Sequence, residues 1–198
     1  MNYFVMCHEA IDGCYTDGDV LFTPPLDDYY HVGRFLQTKS LTVDLTMDKK
    51  VRSLKSDFFL TGCGAFFVSD QLKEVFGKLE VDLEFVPAAV KYHSGKPVEK
   101  SYYLLHANSK VPCFDYRESE YAGKAMVLSK IQSGELSPDY NVRGITRLCI
   151  NEVKARSLDF FFIQGVIWID PIVSENLVRE VKDKKLYVRF LKLAKVMR

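Results

Sequence analysis

The chemistry open to this chain would depend on its histidines and cysteines. The four histidines are His8, His31, His93 and His106, and no two of them have the HxxxH or HExxH spacing that brings two metal ligands onto one face of a helix. The sequence also lacks a GxGxxG or Walker-type phosphate-binding loop. We therefore predict no metal site and no other cofactor.

The five cysteines, Cys7, Cys14, Cys63, Cys113 and Cys149, are widely scattered. Their odd number argues against a disulfide framework, and the absence of CxxC spacing argues against a structural zinc site. Free thiols are the simplest interpretation, and they are typical of a reducing cytosol. The first residues lack the basic region and apolar run of a secretory signal, so we predict a cytoplasmic protein.

Cys63 is the best candidate for a nucleophile, because glycines on both sides of it, in Thr61-Gly62-Cys63-Gly64, would place its sulfur on a tight turn. Cys7 and His8 are adjacent, which on a strand directs their side chains to opposite faces. A structural turn at Cys63 is the favoured interpretation, and we predict no catalytic residue. A small cysteine/histidine-dependent hydrolase remains the alternative.

Charge is unevenly distributed, although the net charge is only +1. No lysine or arginine precedes Arg34, and this acidic segment contains Glu9, Asp12, Asp17, Asp19, Asp27 and Asp28. The stretch Asp12-Gly13 to Asp19 fails the calcium-loop pattern, which needs glycine at the sixth position and a bidentate acid at the twelfth. Two solvated faces that partly neutralise each other are the simpler interpretation, and an acidic surface for a basic partner is the alternative.

Tyrosines and one arginine follow the acids, in Asp27-Asp28-Tyr29-Tyr30 and Arg34. Tyr and Arg are enriched at the energetic centres of protein interfaces. If the chain binds another protein, we predict that the contacts include Asp17, Asp19, Asp27, Asp28, Tyr29, Tyr30 and Arg34.

The C-terminal tail is basic and interleaves Tyr187 and Phe190 with its cations. Such a tail would bind phosphates and stack bases, so a nucleic-acid-binding module is a second alternative. However, the alternation of apolar residues predicts that Phe190 points inward, which disfavours this alternative.

The fold prediction comes from internal similarity between Phe67-Val68-Ser69-Asp70-Gln71-Leu72 and Ile172-Val173-Ser174-Glu175-Asn176-Leu177. In both segments an apolar pair ends a strand, a serine is placed to cap a helix, and an acid follows where the helix dipole favours it. Alternating apolar residues then predict a second strand. We expect an α+β protein with mixed sheets and two degenerate strand–helix–strand repeats, near residues 52–90 and 156–196.

Elsewhere the pattern predicts strands over 3–7, 41–45 and 145–150, a loop over 10–33 and a hairpin turn near 93–97. Residues 125–131 are ambiguous between helix and strand. We expect a single domain over 1–198, with two lobes, about 1–133 and 134–198, as the alternative division. No apolar run is long enough to cross a bilayer, so no membrane association is predicted.

The order of several short motifs resembles a known family. It comprises the Val-Ser-acid-x-Leu helix start, a strand ending in Phe85-Val86-Pro87, then Tyr102-Tyr103-Leu104-Leu105, Phe114-Asp115-Tyr116-Arg117-Glu118-Ser119-Glu120, Phe160-Phe161-Phe162 and the second Val-Ser start. Over residues 41–192 this order is similar to the eleventh immunity-protein type of bacterial polymorphic toxin systems, once catalogued as a domain of unknown function.

The resemblance implies a cytosolic bacterial protein that neutralises a cognate protein toxin delivered by neighbouring cells, with no cofactor and no catalytic residues. It leaves a homo-oligomer open. The sequence departs from the pattern at Phe190-Leu191-Lys192, which replaces Phe-x-Pro in the second copy, and the acidic N-terminal segment lies outside the resemblance.

Overall fold

A computed structural model of the chain describes residues 2–8, 18–26, 32–155, 158–167 and 170–193. It is an α+β protein, as the sequence predicts. The strands are β1 Tyr3–Cys7, β2 Gly18–Thr23, β3 Thr42–Met47, β4 Phe58–Leu60, β5 Phe66–Ser69, β6 Glu84–Lys91, β7 Tyr102–His106, β8 Phe160–Phe161, β9 Ile172–Ser174 and β10 Arg189–Lys192. The α-helices are α1 Asp70–Phe76, α2 Lys124–Gln132, α3 Glu152–Ala155 and α4 Glu175–Asp183.

The described strands form two sheets. The six-stranded sheet has the order β2-β3-β6-β7-β5-β4 and is mixed, because β3 and β6 are parallel while its other pairs are antiparallel. The four-stranded sheet has the order β10-β1-β9-β8 and is antiparallel. The N-terminal strand β1 therefore lies between two strands from the C-terminal part of the chain.

Both predicted serine caps are confirmed. Ser69 Oγ accepts a hydrogen bond from the Leu72 N–H at 3.3 Å, and Ser174 Oγ accepts one from the Leu177 N–H at 3.3 Å. Each serine thus satisfies one of the backbone donors that a helix N-terminus leaves free. Gly77 is the C-cap of α1, so this helix ends before Leu79.

Four adjacent strands at one end of the six-stranded sheet, β6-β7-β5-β4, correspond in order to β10-β1-β9-β8 of the four-stranded sheet, with β1 in the place of β7. The registers also correspond: Ser69 lies opposite Tyr102 and Ser174 opposite Tyr3. On the other side, β6 and β10 are both antiparallel to this central strand. The internal repeat that the sequence suggests stays a prediction. The corresponding registers are the structural observation with which such a repeat has to agree.

The core consists of three apolar clusters in layers, because successive side chains of a strand point to opposite faces of a sheet. Phe59 and Phe67 point into a cluster on the outer face of the six-stranded sheet. Phe58 and Phe66 point into a middle cluster, which also holds Met6 and the buried faces of α1 and α4. A third cluster covers the other face of the four-stranded sheet. The two helices are therefore packed between the sheets.

Three local predictions need correction or completion. The loop predicted over 10–33 contains strand β2, which pairs along its length with β3. The strand predicted over 145–150 is wrong, because this segment makes only isolated bridges, at Arg147 and Ile150. The ambiguous residues 125–131 lie in helix α2.

Candidate functional site

The structure describes two of the seven predicted contact residues. Asp19 is exposed on β2, and Arg34 is exposed just before β3. Asp17, Asp27, Asp28, Tyr29 and Tyr30 lie outside the described residues. The contact prediction therefore stays a prediction, and Arg34 is the member whose surroundings can be examined closely.

Residues 32–36 are held against the end of β7 by three hydrogen bonds. The Gly33 N–H donates to the Ala107 carbonyl oxygen at 2.7 Å, and the Leu36 N–H donates to Asn108 Oδ1 at 3.1 Å. His106 Nε2 lies 3.0 Å from the Arg34 carbonyl oxygen, which can only accept, so this ring nitrogen carries the proton. The backbone that presents Arg34 is thereby fixed.

Glu84 helps to hold the same segment, residues 32–36, in place through hydrogen bonds. Its carboxylate accepts hydrogen bonds from the Thr38 hydroxyl and from Asn108 Nδ2, and Asn108 in turn holds Leu36. The bond from Thr38 is the main cause that keeps the pKa of Glu84 below its ordinary value, with Asn108 and the nearby His106 adding to it. Glu84 therefore belongs to a polar network that positions the loop.

Next to this loop lies an open cavity of about 670 Å³, which we call the Lys110 cavity. Among the described residues its lining is largely apolar, and two lysines and one acid contribute charge. The lining residues are Asp82, Leu83, Ala107, Ser109, Lys110, Val111, Pro112, Val153, Lys154, Leu158, Phe160, Phe161 and Phe162.

Lys110 is half-buried, and its stem packs against Gly33. A Cβ at Gly33 would lie 2.6 Å from Lys110 Cγ, and the backbone there has φ +86°, which favours glycine. Burial lowers the pKa of Lys110, and the positive charge of Arg34 lowers it further. Lys110 thus connects the predicted contact residue Arg34 to the cavity.

Two apolar side chains near this site are unusually exposed. Val153 lines the cavity and is 87% exposed, and Phe35, directly after Arg34, is 82% exposed. Phe35 lies next to Arg34 in the chain, and aromatic residues and arginine are enriched at protein interfaces. No local pattern indicates Lys110, Val153 or Phe35, and Lys110 and Val153 meet only because the cavity is assembled from three segments that are distant along the chain.

A second depression, of about 620 Å³, is basic. It is lined by Lys49, Lys50, Val51, Arg52, Tyr92, His93, Ser94, Lys96 and Glu99. The lining acid, Glu99, accepts a hydrogen bond from the Tyr92 hydroxyl at 2.5 Å. This surface has the charge opposite to that of the N-terminal acidic segment.

Cys63 has the surroundings of a structural residue. It lies on the turn before β5, partly buried against the outer core cluster. The Thr61 hydroxyl donates to the Ala65 carbonyl oxygen at 3.1 Å, so the Cys63 thiol, 3.4 Å away, is left to donate to Thr61 Oγ1. This network closes the turn around the thiol.

An imidazole–carboxylate pair is present elsewhere, between His8 and Asp170. His8 Nδ1 donates to Asp170 Oδ1, and the His8 backbone N–H donates to the same oxygen at 3.2 Å. The neighbouring thiol, Cys7, is buried and directed at the Val5 carbonyl oxygen. The pair fastens the end of β1 to the residue before Pro171 and β9, and no sequence spacing indicates it.

Two further observations concern metal binding and membrane insertion among the described residues. In that part of the chain, no group of three or more His, Cys, Asp or Glu side chains is arranged to hold a metal ion. Likewise, none of the helices described has the length and apolar character needed to cross a membrane.

Comparison with known proteins gives the family. The model of the immunity protein family Imm11 matches residues 9–194, which is most of the chain and includes the acidic N-terminal segment. No curated protein matches the sequence. The order of motifs that resembled the eleventh immunity type is therefore explained, and the chain belongs to the Imm11 immunity protein family.

Proposed function

We propose that this protein binds a cognate bacterial toxin in the cytoplasm and neutralises it by covering the toxin's active site. The family match over residues 9–194 is the observation that carries the proposal. In this mechanism the protein supplies surface and shape, and affinity comes from a few aromatic or arginine anchors rather than from bond chemistry.

The surroundings of the reactive side chains support binding rather than catalysis. The Cys63 thiol is engaged by Thr61 in a turn, and the thiol next to His8 is buried. Burial raises the pKa of Cys113 to about 12, so that thiol stays protonated and is a poor nucleophile.

The surface we assign to the toxin combines the acidic N-terminal segment with the loop that carries Arg34 and Phe35. The acids Asp17, Asp19, Asp27 and Asp28 would steer a basic toxin toward the protein. Arg34, Tyr29 and Tyr30 would then supply contacts of the kind that dominate interface energetics.

A growth assay tests the proposal. The toxin-like C-terminal domain encoded by the large reading frame beside this gene is expressed in a bacterial host, with and without this protein. We expect growth arrest in its absence and protection in its presence, with a stable complex on co-purification. Growth arrest that persists at equal expression of both proteins would overturn the proposal.

The Cys63→Ala variant separates inhibition from catalysis in the same assay. An inhibitor that acts by occlusion should protect as well with alanine at this position. An enzyme that uses Cys63 should lose protection entirely.

A further inference from the structure

Lys110 has no hydrogen-bond or ion-pair partner among the residues that the structure describes, although its side chain is half-buried. Its pKa is lowered by that burial and by Arg34, which means that the protein here disfavours the ammonium charge. Lysines that lose water without gaining an anion are uncommon in a folded protein, because the lost hydration is not replaced. An anion at this position would replace it.

The walls of the Lys110 cavity indicate what else the occupant must offer. Its apolar lining includes Leu83, Val111 and Leu158, which are partly exposed, together with the nearly fully buried Phe160, Phe161 and Phe162. A bare inorganic anion would leave the exposed part of this apolar surface uncovered. An occupant with an apolar or aromatic body and one negative group would use both parts of the cavity.

The charged residues around the cavity also favour a negatively charged occupant. Lys154 lines the cavity in addition to Lys110, and Arg34 is close enough to Lys110 to lower its pKa. Asp82 is the one acid among the lining residues that the structure describes. The site is thus net cationic around an apolar floor.

We propose that the Lys110 cavity receives a carboxylate side chain, an Asp or Glu next to an aromatic or aliphatic residue, presented by the partner protein. This inference rests on the proposed function, because it takes the toxin as the partner. A protein segment fits better than a free small acid, since Val153 at the cavity is 87% exposed and Phe35, in the loop whose Gly33 packs against Lys110, is 82% exposed. Covering these side chains requires a surface larger than one small molecule.

The first test uses two peptide probes that differ only in charge, N-acetyl-Phe-Glu-amide and N-acetyl-Phe-Gln-amide. Backbone amide shifts of the protein are followed by NMR as each peptide is added at millimolar concentration. We expect the Glu peptide to shift the amides of Ala107, Ser109 and Val111 and the Gln peptide to bind several-fold more weakly. Equal binding of both peptides, or no shift at these amides, would overturn the inference.

Variants show whether Lys110 provides the selectivity. Lys110→Met keeps the stem that packs on Gly33 and should remove the preference for the Glu peptide. Lys91→Met removes one exposed positive charge from β6, away from the cavity, and should leave the preference intact. Retention of the preference in Lys110→Met would contradict the assignment.

A stability measurement guards against misfolding of the Lys110 variant. Because folding lowers the pKa of this lysine, the unfolded state binds more protons in the window between the lowered pKa and the ordinary value of 10.5. Removing the amine therefore removes an unfavourable contribution to the free energy of folding at neutral pH. Lys110→Met should unfold at the same temperature as the wild type or at a higher one.

The second test measures binding to the toxin domain named above. We expect Lys110→Met to weaken the complex by at least about tenfold, mainly through faster dissociation, since a buried charge contact is lost. Unchanged affinity would overturn the inference while leaving the proposed function standing. If the wild type does not bind the toxin domain, the proposed function and the toxin as partner both fall, and the peptide comparison still decides whether the cavity accepts a carboxylate.

Discussion

Asp57 and Asp159 join the two strand–helix–strand units through equivalent pairs of backbone contacts. Asp57 lies in the first unit and contacts the second, and Asp159 lies in the second unit and contacts the first. The Asp57 carboxylate accepts from the Tyr187 N–H at 2.7 Å, and the Asp57 N–H donates to the Tyr187 carbonyl oxygen at 3.2 Å. The Asp159 carboxylate accepts from the Glu80 N–H at 3.1 Å, and the Asp159 N–H donates to the Glu80 carbonyl oxygen at 3.0 Å. Each unit's aspartate therefore holds the segment that follows the other unit's helix.

Removing either aspartate should loosen this junction. Asp57→Ala removes the acceptor of the part-buried Tyr187 N–H and the anionic partner of the Lys100 ammonium, which keeps the Lys55 carbonyl oxygen at 2.8 Å. We expect a loss of about 2 kcal/mol in the free energy of unfolding, because a donor without its acceptor and a cation without its counter-ion are both costly. Denaturant unfolding monitored by circular dichroism measures it.

Asp183→Ala is the control for this prediction, since Asp183 is exposed at the end of α4. The Asp183→Ala substitution should change the free energy of unfolding by no more than about 0.5 kcal/mol. A similar small change for Asp57→Ala would show that the junction does not hold the two units together.

The two capping serines should differ in their contribution to stability. Ser69→Ala removes one helix cap and should cost about 1 kcal/mol of unfolding free energy. Ser174→Ala should cost more, because the Ser174 hydroxyl also donates to the Asp159 carboxylate. Ser129→Ala, at an exposed position inside α2, should leave stability unchanged or raise it slightly, since alanine is the better helix former.

Equal costs for the two caps would contradict the additional role of Ser174. Thermal unfolding of the three variants under one buffer condition gives the comparison directly.

Acid should weaken the loop that carries Arg34 through Glu84. Folding lowers the pKa of Glu84, mainly through the hydrogen bond from Thr38, so this carboxylate stabilises the fold above its unfolded pKa, and the contribution is lost as pH falls through the folded pKa. The wild type should therefore be more stable than Glu84→Gln at pH 7, and the two should converge below the ordinary carboxyl value of 4.5.

Unfolding free energies of both proteins from neutral pH into the acid range provide the measurement. Glu118→Gln, at an exposed position, is the matched control. A gap between wild type and Glu84→Gln that stays constant down to acid pH would contradict the role assigned to the Glu84 carboxylate.

Local physics explains which parts of this fold could be predicted. A serine placed before an acid and an apolar face is sufficient to locate the starts of α1 and α4, since capping involves residues only three positions apart. Strand β2 was missed because turn-forming Asp-Gly and Pro-Pro pairs flank it and because its regular structure depends on pairing with β3. Residues 145–150 have the composition of a strand, yet their neighbours pair with them only at single positions.

The candidate site depends on contacts that no local pattern encodes. Insertion of β1 between β9 and β10 brings the two ends of the chain together, and the His8–Asp170 pair follows from it. The Lys110 cavity likewise combines residues near 82, 110 and 153–162. The prediction of Arg34 as a contact residue rests on composition alone, and the sequence has no signal for the lysine beside it.

The acidic N-terminal segment should act on the rate of association with the toxin. Replacing Asp17, Asp19, Asp27 and Asp28 with lysine would reverse the local field that we expect a basic toxin to encounter. The association rate constant at low salt should fall by about tenfold or more, and the dissociation rate constant should change much less, because long-range steering acts before contact.

Stopped-flow or surface-plasmon measurements with the same toxin domain at low and high salt give both rate constants. Reversal of four exposed acids elsewhere on the protein changes the net charge by the same amount and should have a smaller effect; these acids are Glu118, Glu120, Glu135 and Asp183. The difference between the two sets should shrink as salt is added, since screening shortens the range of the field. An association rate that is unchanged at low salt would remove electrostatic steering from the proposal, and binding would then depend on the predicted contacts of Arg34 and the neighbouring tyrosines.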